Sequence, residues 1–309
     1  MDLAITTAKQ VIELFVLILL GFILYKVKIV KEESKKTLSD ILVNVIVPAM
    51  IVNSYLTGYS KELMHNLFNE FFYSFLLIGI GIIITCLFTI KVNNKDRGII
   101  RFGCSFSNAA YMGFPLILAL FGTEGILYAS AYVTVFNMFL WTLGVVYVSK
   151  RMSFKALVMQ LLKCPPIIAV AVGLVIFFTG IPVPEIIRTP IKMVGDMNTP
   201  ISMMITGATI AGSSMSILFK NRRTWMAVVL RLFIIPYISL LFMYLIGATG
   251  MPAMIALILE ACPVAALTTV FAIKYKHDES LAVGMVVFST LLSIITLPLF
   301  AFALSYIVK

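Results

Sequence analysis

Charge is what this chain has least of. Asp, Glu, Lys and Arg make up 12% of its 309 residues, against about 25% in an ordinary soluble domain. So little polar side chain cannot cover the surface of a water-soluble fold. Histidine is nearly absent: His65 and His277 fall between apolar runs, which excludes a histidine-held metal inside them. The four cysteines, Cys86, Cys104, Cys164 and Cys262, lie in or at the edge of apolar runs, without the spacing of a disulfide framework or metal knuckle. A glycine-rich phosphate loop is missing, as is a pair of aspartates on facing segments. Ser107 has no His or Lys in its own segment to act as base. These absences argue against an enzyme. Little chain remains between the apolar runs for the extramembrane domain of a receptor or a pump.

What is present is hydrophobic length. Apolar residues reach 61% and recur in runs of about 20, the length that crosses a bilayer as helix. Ten spans are expected, near 10–27, 38–57, 68–90, 99–120, 125–148, 156–179, 191–213, 224–247, 251–273 and 280–306. The first run follows Asp2 and a single Lys9, and no small-residue cleavage site follows it. It is therefore expected to stay in the membrane rather than leave as a signal peptide. The net charge of +10 does not read as a nucleic-acid surface, because the basic residues form short clusters between runs. The odd-numbered loops hold 19 of the 24 Lys and Arg residues, Arg231 counted among them. The other side holds Lys9, Lys61, Arg188, Lys192 and Lys309. Positive loops stay in the cytoplasm, which places both termini outside a cell membrane.

An internal repeat supports this count. Gly21 and Gly173, Thr37 and Thr189, and Pro48 and Pro200 are each 152 residues apart, and Asn44 aligns with Asp196 at the same offset. Residues 1–150 and 151–309 thus read as two copies. Five spans per copy is odd, so the second copy must be inverted, as in many secondary carriers.

Two spans are interrupted at matching places. Span four carries Ser107-Asn108-Ala109-Ala110-Tyr111-Met112-Gly113-Phe114-Pro115 and span nine carries Glu260-Ala261-Cys262-Pro263, with Thr268 and Thr269 beyond. Proline removes a donor and clashes one turn back, and broken backbone at membrane depth is tolerated where it lines a cavity. Half-helix N-termini offer free N–H groups to an anion. Glu260 is the one carboxylate read as deep inside a span. It either carries a coupling proton or sodium ion or forms a structural pair with Arg101 or Arg231. Asn137, in the middle of span five, either lines the site or bonds a neighbouring helix.

Ser107 to Leu116 resembles the span-four signature of the auxin efflux carrier family, which includes bacterial malate and malonate permeases. So do Val47-Pro48-Ala49, the run from Gly195-Asp196 to Gly207-Ala208, and the stretch from Pro263 to Asp278-Glu279 and Ser289-Thr290-Leu291-Leu292-Ser293. The resemblance implies a homodimer built on a scaffold of spans 1, 2, 6 and 7. It also implies a transport domain of spans 3–5 and 8–10 that moves as an elevator, with the substrate carboxylate at the crossing of spans 4 and 9. Asn108 matches the family's first-crossover asparagine. At the second crossover the family's asparagine position is Leu267, and Thr268 and Thr269 stand next in line.

The expected protein is therefore an all-α polytopic membrane protein that carries a small mono- or dicarboxylate. Its site would comprise Ser107, Asn108, Gly113, Pro115, Asn137, Cys262, Pro263, Thr268 and Thr269, with Glu260 for ion coupling and no metal or other cofactor. The alternatives are a cation or proton exchanger on a related crossed-helix fold, for which the expected aspartate pair is missing, and a non-transporting membrane sensor.

Overall fold

A computed structural model describes residues 2–56, 60–149, 155, 158–159, 162–212 and 221–307. The link between the two halves at Lys150 and Arg151, the end of span seven, and Lys220 and Lys309 lie outside the described residues. The described residues are helical, with one isolated β-bridge and no strand.

The chain begins with α1 (Asp2–Lys26), α2 (Glu32–Tyr55) and α3 (Lys61–Phe88). Next come α4 (Asn94–Ser105) and the long α5 (Ala109–Val148). After the link follow α6 (Pro165–Thr179), α7 (Glu185–Asp196), α8 (Asn198–Ala211) and α9 (Arg222–Leu245). The chain closes with α10 (Gly250–Ala261), α11 (Leu267–Tyr275) and α12 (Glu279–Ile307). Six of these helices, α1, α2, α3, α5, α9 and α12, are long and apolar enough to cross a membrane. α6 and α10 are shorter apolar helices. His65 falls inside α3 rather than in a loop, because the helix begins at an N-cap: Ser60 Oγ accepts the Leu63 N–H.

α5 is one helix by hydrogen bonding but two limbs by shape. Gly122, at φ 65 and ψ −156, bends it where spans four and five were expected to part. A Cβ there would meet no atom within 4 Å. The glycine is needed for its backbone angle, which L side chains rarely adopt.

Large apolar side chains such as Ile12, Val16, Phe72, Ile83, Val175 and Leu299 are exposed, a surface suited to lipid. α10 is the opposite case: every residue from Ala253 to Ala261 except Met254 is buried. It is enclosed by α3, α5, α9 and α12. Helices in lipid gain little from hydrophobic association and depend on close contact at small residues. α1 and α8 meet in that way. A Cβ on Gly207 would overlap the Ile18 carbonyl, and one on Gly21 would overlap the Met204 carbonyl. The two glycines thus occupy one backbone-to-backbone contact about a turn apart. Gly207→Leu is expected to lower stability by about 3 kcal/mol, the upper end of ordinary overpacking, because backbone cannot rotate aside. Gly79→Ala, whose Cβ would meet nothing within 4 Å, should be neutral. Thermal unfolding of the purified proteins in detergent compares them, and equal midpoints would refute the contact.

Candidate functional site

Both interrupted helices break where local chemistry requires it. α10 stops at Ala261 because Pro263 forces the preceding residue out of the helical region, and Cys262 sits at φ −60 and ψ 152. α4 stops at Ser105, and Phe106 turns extended at φ −118 and ψ 116. The chain resumes as a π-helical turn, Ala109–Gly113, which leads into an α-helix with Pro115 in its first turn. The helix is already under way at Ala109, so Pro115 interrupts its hydrogen-bond ladder just after the wide turn.

The two breaks cross and pair. Ser107 and Val264 form an antiparallel bridge. The Asn108 N–H donates to the Pro263 carbonyl at 2.7 Å, and the Ala265 N–H to the Phe106 carbonyl at 3.0 Å. The Val264 N–H donates to Ser289 Oγ of α12 at 3.0 Å. These bonds satisfy backbone groups that would otherwise be stranded in an apolar interior.

At the crossing, two helices end and two begin. Arg231 of α9, fully buried, serves the two ends. Its Nε donates to the Cys262 carbonyl at 3.1 Å and its Nη1 to the Cys104 carbonyl at 3.1 Å. Nη2 donates to the Glu260 carbonyl, and Nη1 lies 3.2 Å from Glu260 Oε1. A cation placed on helix C-termini complements their negative dipole ends. The other carboxylate oxygen, Glu260 Oε2, accepts from the Tyr132 hydroxyl at 2.6 Å, and that hydroxyl lies 3.4 Å from Ser107 Oγ. Gly81 of α3 makes room, since a Cβ there would stand 2.9 Å from Glu260 Oε1. Side chains or backbone from α3, α4, α5, α9, α10 and α12 thus converge on one buried cluster.

The segment at Ala109 follows Asn108 and α11 follows Ala266, and neither has a side-chain cap. The first-turn N–H groups at Ala109 have no intrahelical partner, whereas the Thr268 and Thr269 N–H groups of α11 turn back to the Ala265 and Ala266 carbonyls at 2.9 and 3.2 Å; both positive helix ends sit beside the crossing. Two clefts reach the first limb of α5 and share Leu118. One, of about 250 Å³, is lined by Gln10, Glu13, Pro115 and Thr199 among others; the other, of about 270 Å³, by Asn53, Thr123, Lys192 and Asp196 among others.

The expected site residues divide accordingly. Ser107, Asn108, Cys262, Pro263 and Glu260 meet at the crossing through the bonds above. Gly113 is a packing position: a Cβ would lie 2.5 Å from Leu259 Cδ2 and 3.4 Å from Cys262 Sγ. Pro115 borders the smaller cleft. Thr268 is buried with its hydroxyl unpartnered, whereas Thr269 Oγ1 donates to the Ala266 carbonyl at 2.9 Å. Asn137 Nδ2 donates within its own helix, to the Val133 carbonyl at 2.8 Å. Of the two partners considered for Glu260, Arg231 is the one found; Arg101 instead donates to Thr89 Oγ1 at 2.9 Å.

Of three further contributors, two are not evident from the sequence pattern and the third, Arg231, is there only as a possible partner of Glu260. Arg231 counts there with the loop charges, but it lies inside α9, eight residues into an apolar run; that depth is the available signal. Tyr132 carries no motif. Glu70, at the edge of an expected span, is fully buried in α3. Its Oε1 accepts from Ser74 Oγ at 3.3 Å, and its Oε2 has no partner. Among the described residues no group of three His, Cys, Asp or Glu side chains is placed to hold a metal.

Known proteins resemble the chain along nearly its whole length. A family described as membrane transport protein matches residues 6–301. An uncharacterized transporter of Methanothermobacter thermautotrophicus is 24% identical over 96% of this chain and 98% of its own length. Another, from Methanocaldococcus jannaschii, is 23% identical over 95% and 97%.

Proposed function

Because the chain belongs to the membrane transport protein family, that of the auxin efflux carriers, we propose that it is a secondary carrier of a small mono- or dicarboxylate, with its site at the crossing of the broken helices. Family membership makes it a membrane transporter rather than an enzyme. The observation that carries the substrate class is the pair of uncapped helix starts, at Ala109 and Leu267, on either side of the paired backbone. Two positive helix ends converging on one point suit a carboxylate. Asn108 and the unpartnered Thr268 hydroxyl are the side chains in this reading that complete its hydrogen bonding.

The architecture in this reading is ten spans in two inverted halves, with both termini outside the cell membrane. Its support is a matched pair of contacts. Gly21 of α1 packs on Met204 of α8, and Gly173 of α6, its equivalent 152 residues on, packs on Tyr55 of α2. Spans 1, 2, 6 and 7 serve as the scaffold and dimer surface. The six spans around the Arg231 cluster move as one body, because six elements hydrogen-bonded or packed at one buried cluster resist being split. Glu260 fixes the crossing in this reading, since both its oxygens are already engaged.

Uptake of radiolabelled malonate, malate and acetate into proteoliposomes tests the assignment. Saturable uptake of at least one, inhibited by the others, is expected. Failure of all carboxylates alongside proton or sodium exchange, followed with a pH-sensitive dye, would move the protein to the exchanger reading.

A further inference from the structure

The oxygens at the crossing form a cation site that is already filled by the protein itself. Three are main-chain carbonyls at the C-terminal ends of two half-helices, those of Cys104, Glu260 and Cys262, and the fourth is Glu260 Oε1. Unwound carbonyls and half-helix C-termini are what broken-helix carriers use to bind sodium, and all-oxygen sets of this type suit hard cations. Here each of these oxygens accepts from one guanidinium. We infer that Arg231 is a tethered counter-cation in the place of a bound sodium ion, so that this carrier holds no sodium at its crossing.

Charge and access both favour this assignment. Arg231 and Glu260 are each fully buried and form a neutral pair. Among the described residues the other groups at the pair are neutral: the Tyr132 hydroxyl, Ser107 and the Cys104 and Cys262 thiols. A sodium ion added to this set would leave an uncompensated positive charge in a dry interior, which is costly. It would also have to displace a cation that cannot leave, because α9 carries it. Arg231 therefore does permanently what a coupling ion does transiently: it holds the ends of α4 and α10 together. The sodium gradient then has no handle at this point, whichever anion is carried.

The test reads ion binding without any carboxylate, so its failure is separate from failure of the substrate assignment. Radioactive sodium is equilibrated with the purified protein, and competition with unlabelled sodium defines specific binding. The wild type should bind none, and its thermal unfolding midpoint should be the same in sodium and choline chloride. Arg231→Ala should gain saturable sodium binding, and its midpoint should rise with millimolar sodium or methylguanidinium but not with choline. Adding Glu260→Gln should abolish the gained sodium binding. Competable sodium binding by the wild type would overturn the inference, as would a monodisperse Arg231→Ala that responds to neither cation. If Arg231→Ala is not monodisperse, Arg231→Gln takes its place: it should gain the same responses, and their absence would overturn the inference equally.

Discussion

Arg231→Met should be the most damaging single replacement at the crossing, with a stability loss of about 3–5 kcal/mol, the range for breaking a buried ion pair from one side. It removes three hydrogen-bonded carbonyl contacts and strands the Glu260 carboxylate at once. Glu260→Gln should cost less than half as much. Its amide keeps the size of the carboxyl and one acceptor, for Tyr132 or for Arg231 but not both, while the guanidinium still faces three carbonyl oxygens at negative helix ends. The asymmetry follows from which partner has more to lose: Arg231 bonds four oxygens, whereas the Glu260 side chain bonds two donors. Glu260→Gln introduced into Arg231→Met should recover part of the loss, because the stranded charge disappears and only the unsatisfied carbonyls remain. Reversible unfolding of the four proteins in nanodiscs completes the cycle. Equal losses for the two single variants, or strict additivity, would show that the pair is not one unit.

How much of this is legible in the sequence follows from the kind of signal each feature leaves. The break at Cys262 is readable because proline acts on its neighbour through local sterics; Pro115 marks the other interrupted span but not its break, which lies earlier at Phe106, while Phe114 before the proline stays helical. The register that sets Ser107 against Val264 is not readable, since it depends on where two distant segments meet. Arg231 is misplaced by a count of basic residues, which treats every arginine near a span end as a loop residue. The positive-inside pattern concerns charges that stay in water, and an arginine with four buried acceptors does not obey it. Glu70 goes unnoticed for a related reason: α3 begins earlier than the apolar run does, at Lys61. A carboxylate at the edge of a run can therefore lie well inside the helix. Asn137 can be read as site or as interhelical contact, and its side chain bonds its own helix instead. Side-chain direction is not encoded in spacing alone.

If the proposed carboxylate is the substrate, its affinity should depend on Asn108 and Thr268 while the fold does not. The backbone N–H of Asn108, not its side chain, makes the bond to Pro263, and its side chain caps no helix amide. Asn108→Ala therefore leaves the crossing paired. A hydrogen bond to a charged group contributes about 1.5–3 kcal/mol, so its loss should raise the KM for uptake by roughly 10- to 100-fold, at about 1.4 kcal/mol per tenfold. Thr268→Val separates a binding hydroxyl from a structural one. The hydroxyl is buried without a partner, so its removal should leave the unfolding midpoint unchanged or raise it, since an unsatisfied polar group is costly to bury. If the same hydroxyl meets the carboxylate, uptake affinity should fall although stability does not. Asn137→Ala, which among the described residues loses a bond within its own helix, is the control and should shift KM less than about threefold, under 1 kcal/mol. Initial rates of carboxylate uptake into proteoliposomes across a concentration series give the three values. Unchanged KM in both Asn108→Ala and Thr268→Val would place the anion elsewhere than the two helix starts.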